Sequence, residues 1–597
     1  MAKPKRESAR GHGRIAVLLV LCCLVFVAFF ARLAWMQFAM ADHYAEKAAE
    51  ASSASYTIEQ HAARGTITDR NGTVLARDTT VYDLYLRVPA PPGSDLQQTV
   101  QTVQAIIGGK DVETQLAAFC SAVSAGELLV AESLDDESMT AIYKAGLVQN
   151  GAVRLAARGE RTWPEGSLLP HALGFTGAIT AEQWPAAQEK GLAMDSIIGQ
   201  SGLEAAYDDL LRGQDGQLLI NTGLDGAVRT TIQKSSPTPG STLVLTLDAD
   251  LQRALQAALR DQILHLQTTA APGGGREARA GAAIVVDVKT GGILAAANWP
   301  GYNLNNYRSD YSTLAAEETA PLLDRVFQGL YAPGSAFKPA VAAAALSAGF
   351  DASDTVNCTG RYLYYSGYQP GCLQYGHAGP VDMRTALEHS CNIFFYDVGR
   401  RLGVDAFSTM ARQLGLAAST GAEVNEASGR LTWSDDENFQ AGLTLMAAIG
   451  QGNTAVTPAQ LAVYAATLAN YGQRPTLHFA DHAQNPATGE IVWQYEPQFT
   501  TVEGGDSVFG PIRDGMKRMA QTNRYLREAP VVCAAKTGSP QLADTMSNGN
   551  HYVNSVLIGY APADDPQIAV AVVLEYGGGG SNATPVLRAV LDEYFTR

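Results

Sequence analysis

The stretch YAPGSAFKPAVAAAALSAG, residues 331–349, sets a serine and a lysine three places apart at the head of an alanine-rich run. Residues i and i+3 share a helix face, so the amine of Lys338 comes within reach of the hydroxyl of Ser335. Pro339 fits only in a first turn, where no intrahelical acceptor awaits its missing N–H. The positive end of the helix dipole then falls where an anion would form. A serine beside an amine base is a known nucleophile arrangement. Alone it is weak, because a helix-capping serine and a surface lysine give the same pattern by chance.

The flanking text predicts the scaffold. TLVLTLD reads as a strand, and ADLQRALQAALRDQILHL as an amphipathic helix with Leu251, Leu255, Ala258, Leu259 and Ile263 on one face. GAAIVVDVKTGGILAAANWP gives two short apolar strands around a turn. Towards the C-terminus SVLIGYAPADDPQIAVAVVLEYGG is strand, turn and strand, and TPVLRAVLDEYF a closing helix. Helices with antiparallel hairpins predict an α+β domain, an antiparallel sheet covered by helices. SSPTPGS, residues 235–241, can continue neither a helix nor a central strand, which places a domain boundary between 39–238 and 239–597.

A chain of 597 residues is too long for one core. Apolar content of 46% against 17% charged residues excludes wholesale disorder, and a formal net charge of −16 argues against a nucleic-acid-binding surface. Lys3, Lys5, Arg6, Arg10 and Arg14 precede an apolar run, so 1–14 reads as a cytoplasmic tail and 15–38 as a single transmembrane anchor. Arg32 and Trp35 would then snorkel near the outer interface, with nearly everything after them outside the cell membrane. The rival reading is a signal peptide cleaved at Ala39-Met40-Ala41; the length of the run and the charge at Arg32 favour the anchor.

Two further stretches strengthen Ser335 and Lys338. Ser390-Cys391-Asn392 opens the helical segment SCNIFFYDVGRRLG, and Lys536-Thr537-Gly538 closes the apolar run APVVCAAKTGSP. The three elements in this order form the active-site set of serine acyl-transferases acting on D-alanyl peptides and β-lactams. With RGTITDRNGTVLA, RTWPEGSLLPHALG, GQSGLEAAYDDLLRG, IGQGNTAVTPAQLA and GYAPADDPQIAVAVV, the chain resembles the class B penicillin-binding proteins over almost its whole length, in feel closest to their elongation-type branch.

That resemblance implies a serine transpeptidase domain at 239–597, carried on an elongated non-catalytic α+β pedestal at 39–238, with no glycosyltransferase domain. It implies a peptidoglycan D,D-transpeptidase with Ser335 as nucleophile, Lys338 as base, Ser390 as proton relay, and Asn392 bound to Lys338 and the substrate amide. Lys338 can act as base if burial and nearby positive charge lower its pKa, and Lys536 would supply the second charge. Thr537, Gly538 and Ser539 would bind the substrate carboxylate, and the backbone N–H groups of Ser335 and Ser539 would form the oxyanion hole. Implied partners are stem peptides, β-lactams, the membrane, a SEDS-type glycan polymerase and other cell-wall synthesis proteins. No cofactor is needed for the chemistry. A β-lactam sensor and a polymerase-activating scaffold are the alternatives, and the sensor's H-E-x-x-H is missing. Two positions depart from the family pattern: LLDRVFQG has Asp-Arg where relatives often have Asn-Arg, and Ser539 stands where Thr is commoner.

Of seven cysteines, Cys22 and Cys23 fall in the anchor and five remain, so complete pairing within one chain is impossible. Cys358, Cys372, His377 and Cys391 form a complete donor set for tetrahedral zinc, though their spacing is no common finger pattern. Some elongation-type members of the family the chain resembles carry a zinc site in this segment, and these four positions look like its counterparts. A Cys358–Cys372 disulfide and plain buried thiols remain open alternatives. Cys120 and Cys533 are expected in the core, His171 in a structural role, and His389 facing away from the site of Ser390.

Overall fold

In a computed structural model the described residues are 9–36, 40, 54–88, 94–108, 111–122, 126–194, 196–222, 228–373 and 376–597. Lys3, Lys5 and Arg6, and Ala39 and Ala41 of the candidate cleavage site, lie outside them. The chain divides into two compact units, Met1–Ala62 with Gln214–Thr238, and Ala63–Gly213 with Pro239–Arg597.

The first unit holds the helix Ala9–Ala34, within which Ala16–Ala34 is long and apolar enough to cross a membrane and is not buried in the protein. At its end the Arg32 guanidinium lies over the Trp35 ring at 4.7 Å, an arrangement suited to an interface where one end is apolar and the other wet. The unit also holds an antiparallel sheet in the order Ala54–Gln60, Gly216–Thr222, Val228–Ser235.

The second unit is built on an antiparallel five-stranded sheet in the order Ile293–Trp299, Ala280–Asp287, Ile568–Glu575, Ser555–Ala561, Ala534–Gly538. Strand side chains alternate between faces. Ala282, Ile284 and Val286 enter one core and Ala283 and Val285 the other. The helix Pro458–Ala469, buried at all of its residues, covers the first face; it starts from a capping box in which Thr457 and Gln460 satisfy each other's orphan N–H groups. The helices Ala249–Thr269 and Thr584–Phe595 cover the second face. Leu251, Leu255, Leu259 and Ile263 are fully buried there and Ala258 partly, as the sequence periodicity predicted. Each of the four large side chains contributes roughly 2 kcal/mol of burial.

A second, seven-stranded sheet joins Thr242–Leu245 to Ile67–Thr68 on one side and Ala480–Gln484 on the other, and continues through Val74–Val88. Cys533 is buried as expected, but Cys120 is exposed, because the helix Val112–Ala122 turns its core-facing side at Val112 and leaves Cys120 on the solvent side.

Candidate active site

The edge strand Ala534–Gly538 pairs on one side with Ser555–Ala561 and passes beside the turn that carries Ser335. Only glycine allows that approach. A Cβ on Gly538 would sit 2.1 Å from the Pro333 carbonyl oxygen, and one on Gly334 would sit 3.1 Å from the Ser539 nitrogen. Gly334 also takes φ +56°, which a residue with a side chain rarely adopts. Ser335 therefore lies in the 3-10 turn Gly334–Phe337, not in the α-helix Lys338–Ser347 that follows. Three residues per turn stack Ser335 and Lys338 more directly than an α-helix does.

Lys338 is fully buried. Its Nζ donates to the Ser390 carbonyl at 2.7 Å, to Ser390 Oγ at 3.1 Å and to Asn392 Oδ1 at 2.7 Å, with the Phe395 ring 5.6 Å away. Among the described residues the Ser335 hydroxyl makes no hydrogen bond, a loose arrangement common in catalytic groups before substrate arrives. Ser390 holds φ +56°, a strained value for serine that turns both its oxygens towards Lys338. Cys391 then caps the helix Asn392–Leu402, and Asn392 donates through Nδ2 to the Gly371 carbonyl at 3.2 Å.

Burial pushes the Lys338 amine down to about 7, and the thiols of Cys391 and Cys372 oppose that fall. Lys536, also fully buried, is pushed well down by burial first and by Lys338 second, and donates to the Thr537 carbonyl at 3.1 Å. Both amines are stripped of water, and burial favours the uncharged form of each. Thr537 is half-buried and Ser539 exposed at the strand end, where Ser539 Oγ accepts from the Gly580 N–H at 2.8 Å.

The cysteine segment lies against the same groups. The donor atoms of Cys358, Cys372, His377 and Cys391 all fall within 4.8 Å of one another, and His377 Nε2 is 3.5 Å from the sulfurs of both Cys358 and Cys372. A tetrahedral zinc with ordinary Zn–S and Zn–N lengths needs an S···N edge of about 3.5 Å, so the donor set fits. Cys358 and Cys372 are not joined by a disulfide in this structure. The Cys391 thiol is pushed up by its hydrogen bond with Cys372 and by burial, the opposite of what a nucleophilic cysteine needs. His389 faces this cluster, its ring stacked 5.8 Å from that of His377.

Sequence reasoning missed Gly371, Phe395, Gly450 and Gly580. Gly450 accepts from the Gly334 N–H at 2.9 Å, and its own Cβ would lie 2.2 Å from the Gly334 carbonyl. Only the glycine in IGQGN gave a signal for any of them, since backbone groups and packing leave no mark on residue type.

Two family descriptions match the chain: Penicillin binding protein transpeptidase domain over residues 281–592, and Penicillin-binding Protein dimerisation domain over residues 59–245. The chain is 28% identical over 575 residues to the peptidoglycan D,D-transpeptidase MrdA of Salmonella typhimurium, covering 89% of this chain and 88% of that protein. To MrdA of Acinetobacter baumannii it is 28% identical over 615 residues, with 98% and 87% covered. Among solved structures, a chain from a peptidoglycan synthase complex that coordinates polymerization and crosslinking matches with a TM-score of 0.74 at 27% identity, with 98% of each chain covered.

Proposed function

The chain belongs to the penicillin-binding protein transpeptidase family, and from that membership we propose that it is a peptidoglycan D,D-transpeptidase that cross-links stem peptides through a serine acyl-enzyme and is acylated by β-lactams. The observation that carries this reading is the convergence of Lys338, Ser390 and Asn392, a buried amine bonded to three oxygens one turn from an unengaged serine hydroxyl.

Three acceptors saturate an ammonium. With its pKa near 7, Lys338 loses a proton close to neutrality and gains the lone pair a base needs. Ser335 Oγ then attacks the carbonyl between two D-alanines while its proton passes to Lys338. Backbone N–H groups of Ser335 and Ser539 stabilise the oxyanion, a contribution of about 3 kcal/mol per donor. Ser390 returns the proton to the departing D-alanine nitrogen as the C–N bond breaks. An amine from a neighbouring strand next attacks the ester and gives its proton to Lys338, which passes it to Ser335 Oγ as the C–O bond breaks and the new amide forms. Thr537 and Ser539 hold the terminal carboxylate at the strand end, and Asn392 holds the substrate amide.

Cys358, Cys372, His377 and Cys391 would hold a zinc ion that supplies structural cross-linking and no chemistry of the reaction. The likeness to a chain of a synthase complex supports work beside a SEDS-type polymerase, and the basic residues ahead of the apolar span Ala16–Ala34 support a single-pass anchor with a cytoplasmic N-terminus. The likeness to MrdA proteins supports a role in elongation, checked by depletion: rounded cells are expected and filaments contradict it. The chemistry is tested by Ser335→Ala, which should lose all covalent labelling by fluorescent penicillin; labelling that survives in the folded variant overturns the reading.

A further inference from the structure

Residues 360–372 fold back on themselves as a short hairpin beside the helix Asn392–Leu402. Its arms are joined by the Tyr362 N–H donating to the Pro370 carbonyl at 3.0 Å and the Cys372 N–H donating to the Gly360 carbonyl at 2.9 Å, with Arg361 and Gly371 paired as an antiparallel bridge between them. Each arm then reaches the helix. From the second arm the Gly371 carbonyl accepts from Asn392 Nδ2, at the start of the helix. From the first arm the Tyr362 hydroxyl donates to Asp397 Oδ1 at 3.0 Å and accepts from Arg400 Nε at 2.9 Å, further along the same helix.

We infer that Tyr362 is a positioning residue for the acylation of Ser335: its hydroxyl, clamped between Asp397 and Arg400, holds the hairpin so that the Gly371 carbonyl fixes the Asn392 amide and, through it, Lys338. The inference rests on the transpeptidase reading and adds to it a residue outside the motif set.

A phenol has one hydrogen to give and lone pairs to receive, and Tyr362 uses both kinds of bond on the helix. Its neighbours Arg361, Leu363 and Tyr364 are exposed, whereas Tyr362 is buried, so this arm is anchored to the core through that one side chain. Its ring packs 5.9 Å from that of Tyr396, one turn after Asn392. Both partners of the hydroxyl are themselves held: the Arg400 guanidinium lies 3.8 Å over the Tyr364 ring, and Asp397 pairs with Arg401. The effect on the site follows from the shape of an amide. Asn392 carries an oxygen and an NH2 in nearly the same outline, and either can turn towards Lys338. A carbonyl only accepts, so Gly371 takes the NH2 and turns Oδ1 to the Lys338 amine, from which it accepts at 2.7 Å. An amide turned over would instead direct N–H groups at the lone pair with which Lys338 takes the Ser335 proton.

The test is Tyr362→Phe in the full chain in detergent, a change that keeps the ring and removes both hydroxyl bonds. Acylation by fluorescent penicillin is followed to completion over a range of concentrations, so that the amplitude, the affinity before acylation and the rate constant at saturation are read separately. The variant is expected to reach wild-type amplitude, affinity and metal content with a rate constant about tenfold lower. In an Asn392→Ala background the same substitution should change the rate constant by less than about twofold, because the residue it acts through is gone. A merely structural role would lower the amplitude, as less protein folds, and leave the rate constant of the remainder alone; that outcome overturns the inference. An unchanged rate constant at full amplitude, or a loss of the same size that persists beside Asn392→Ala, overturns it too. A wild type that penicillin does not acylate would instead overturn the assignment of Ser335, so the two failures are distinct.

Discussion

At the scale of single residues the site is governed by desolvation. Lys338 and Lys536 are two amines in one dry pocket, and removing water favours the uncharged form of each. Burial brings Lys338 down to about 7 from its usual 10.5, so the form in which the proposed mechanism uses it as a base is the deprotonated one present above about 7. The rate of penicillin acylation is therefore expected to rise with pH through about 7 and then level off; stopped-flow rates that stay flat across roughly two units on either side contradict that role. Gly538→Ala belongs to the same scale. Its methyl would press on the Pro333 carbonyl from 2.1 Å, forcing the strand and the Ser335 turn apart. A displacement of that order costs about 10²-fold in acylation rate, measurable at unchanged penicillin concentration, while the sheet still folds. The residue types were legible in the sequence: Ser335, Lys338, Ser390, Asn392 and Lys536 were each named from their motifs. What burial does to each charge was not, since residue type alone does not reveal how much water surrounds it.

At the scale of elements, the segment between Cys358 and Cys391 ties the loop to the helix Asn392–Leu402. Asn392 reaches back to the Gly371 carbonyl, one residue before Cys372, so disorder in this loop would release a group bonded to Lys338. Purified wild-type ectodomain is expected to contain about one zinc per chain and Cys372→Ser to lose it. Limited proteolysis should then cut the variant between residues 359 and 376 at a protease dose that leaves the wild type intact. Metal-free wild type that resists proteolysis equally removes the zinc from the account. On the far face of the sheet, Leu259→Ala leaves a cavity among fully buried neighbours and is expected to cost about 2–5 kcal/mol of stability, read by denaturant melts. That helix was plain from its period. The 3-10 turn at Ser335 was not, because Gly334 and the glycine contacts that tighten it come from distant segments.

At the scale of the whole chain, the region before the transpeptidase match meets it inside one compact unit. Buried Asp324 and half-buried His171 flank a small cavity, where His171 Nε2 lies 2.8 Å from the Pro321 carbonyl and Asp324 Oδ1 accepts from Asn298 Nδ2 at 3.1 Å. Burial holds the His171 imidazole below its usual value, against the pull of Asp324, and holds the Asp324 carboxyl above its own, so both directions favour an uncharged pair. A raised carboxyl pKa gives stability that is present below its unfolded value and lost as pH rises through the folded one. A depressed imidazole pKa gives stability that is present above its unfolded value and lost as pH falls. Asp324→Asn keeps an acceptor for Asn298 and removes the loss on the alkaline side. Its melting temperature is therefore expected to exceed that of the wild type by a margin that grows as pH rises above the usual carboxylate range; a margin that shrinks as pH rises contradicts the assignment. The Asp-for-Asn departure at Asp324 was visible in the sequence, but its partner was not. By itself the sequence determined the motif set, the α+β class, the apolar N-terminal helix and the donor set of three thiols and an imidazole, because local periodicity and residue chemistry carry those. Only the tertiary structure decided which amine is dried by which wall, which glycines are compulsory and which cysteines meet. Those depend on chain segments hundreds of residues apart packing at van der Waals distance, and no short window of sequence contains both partners.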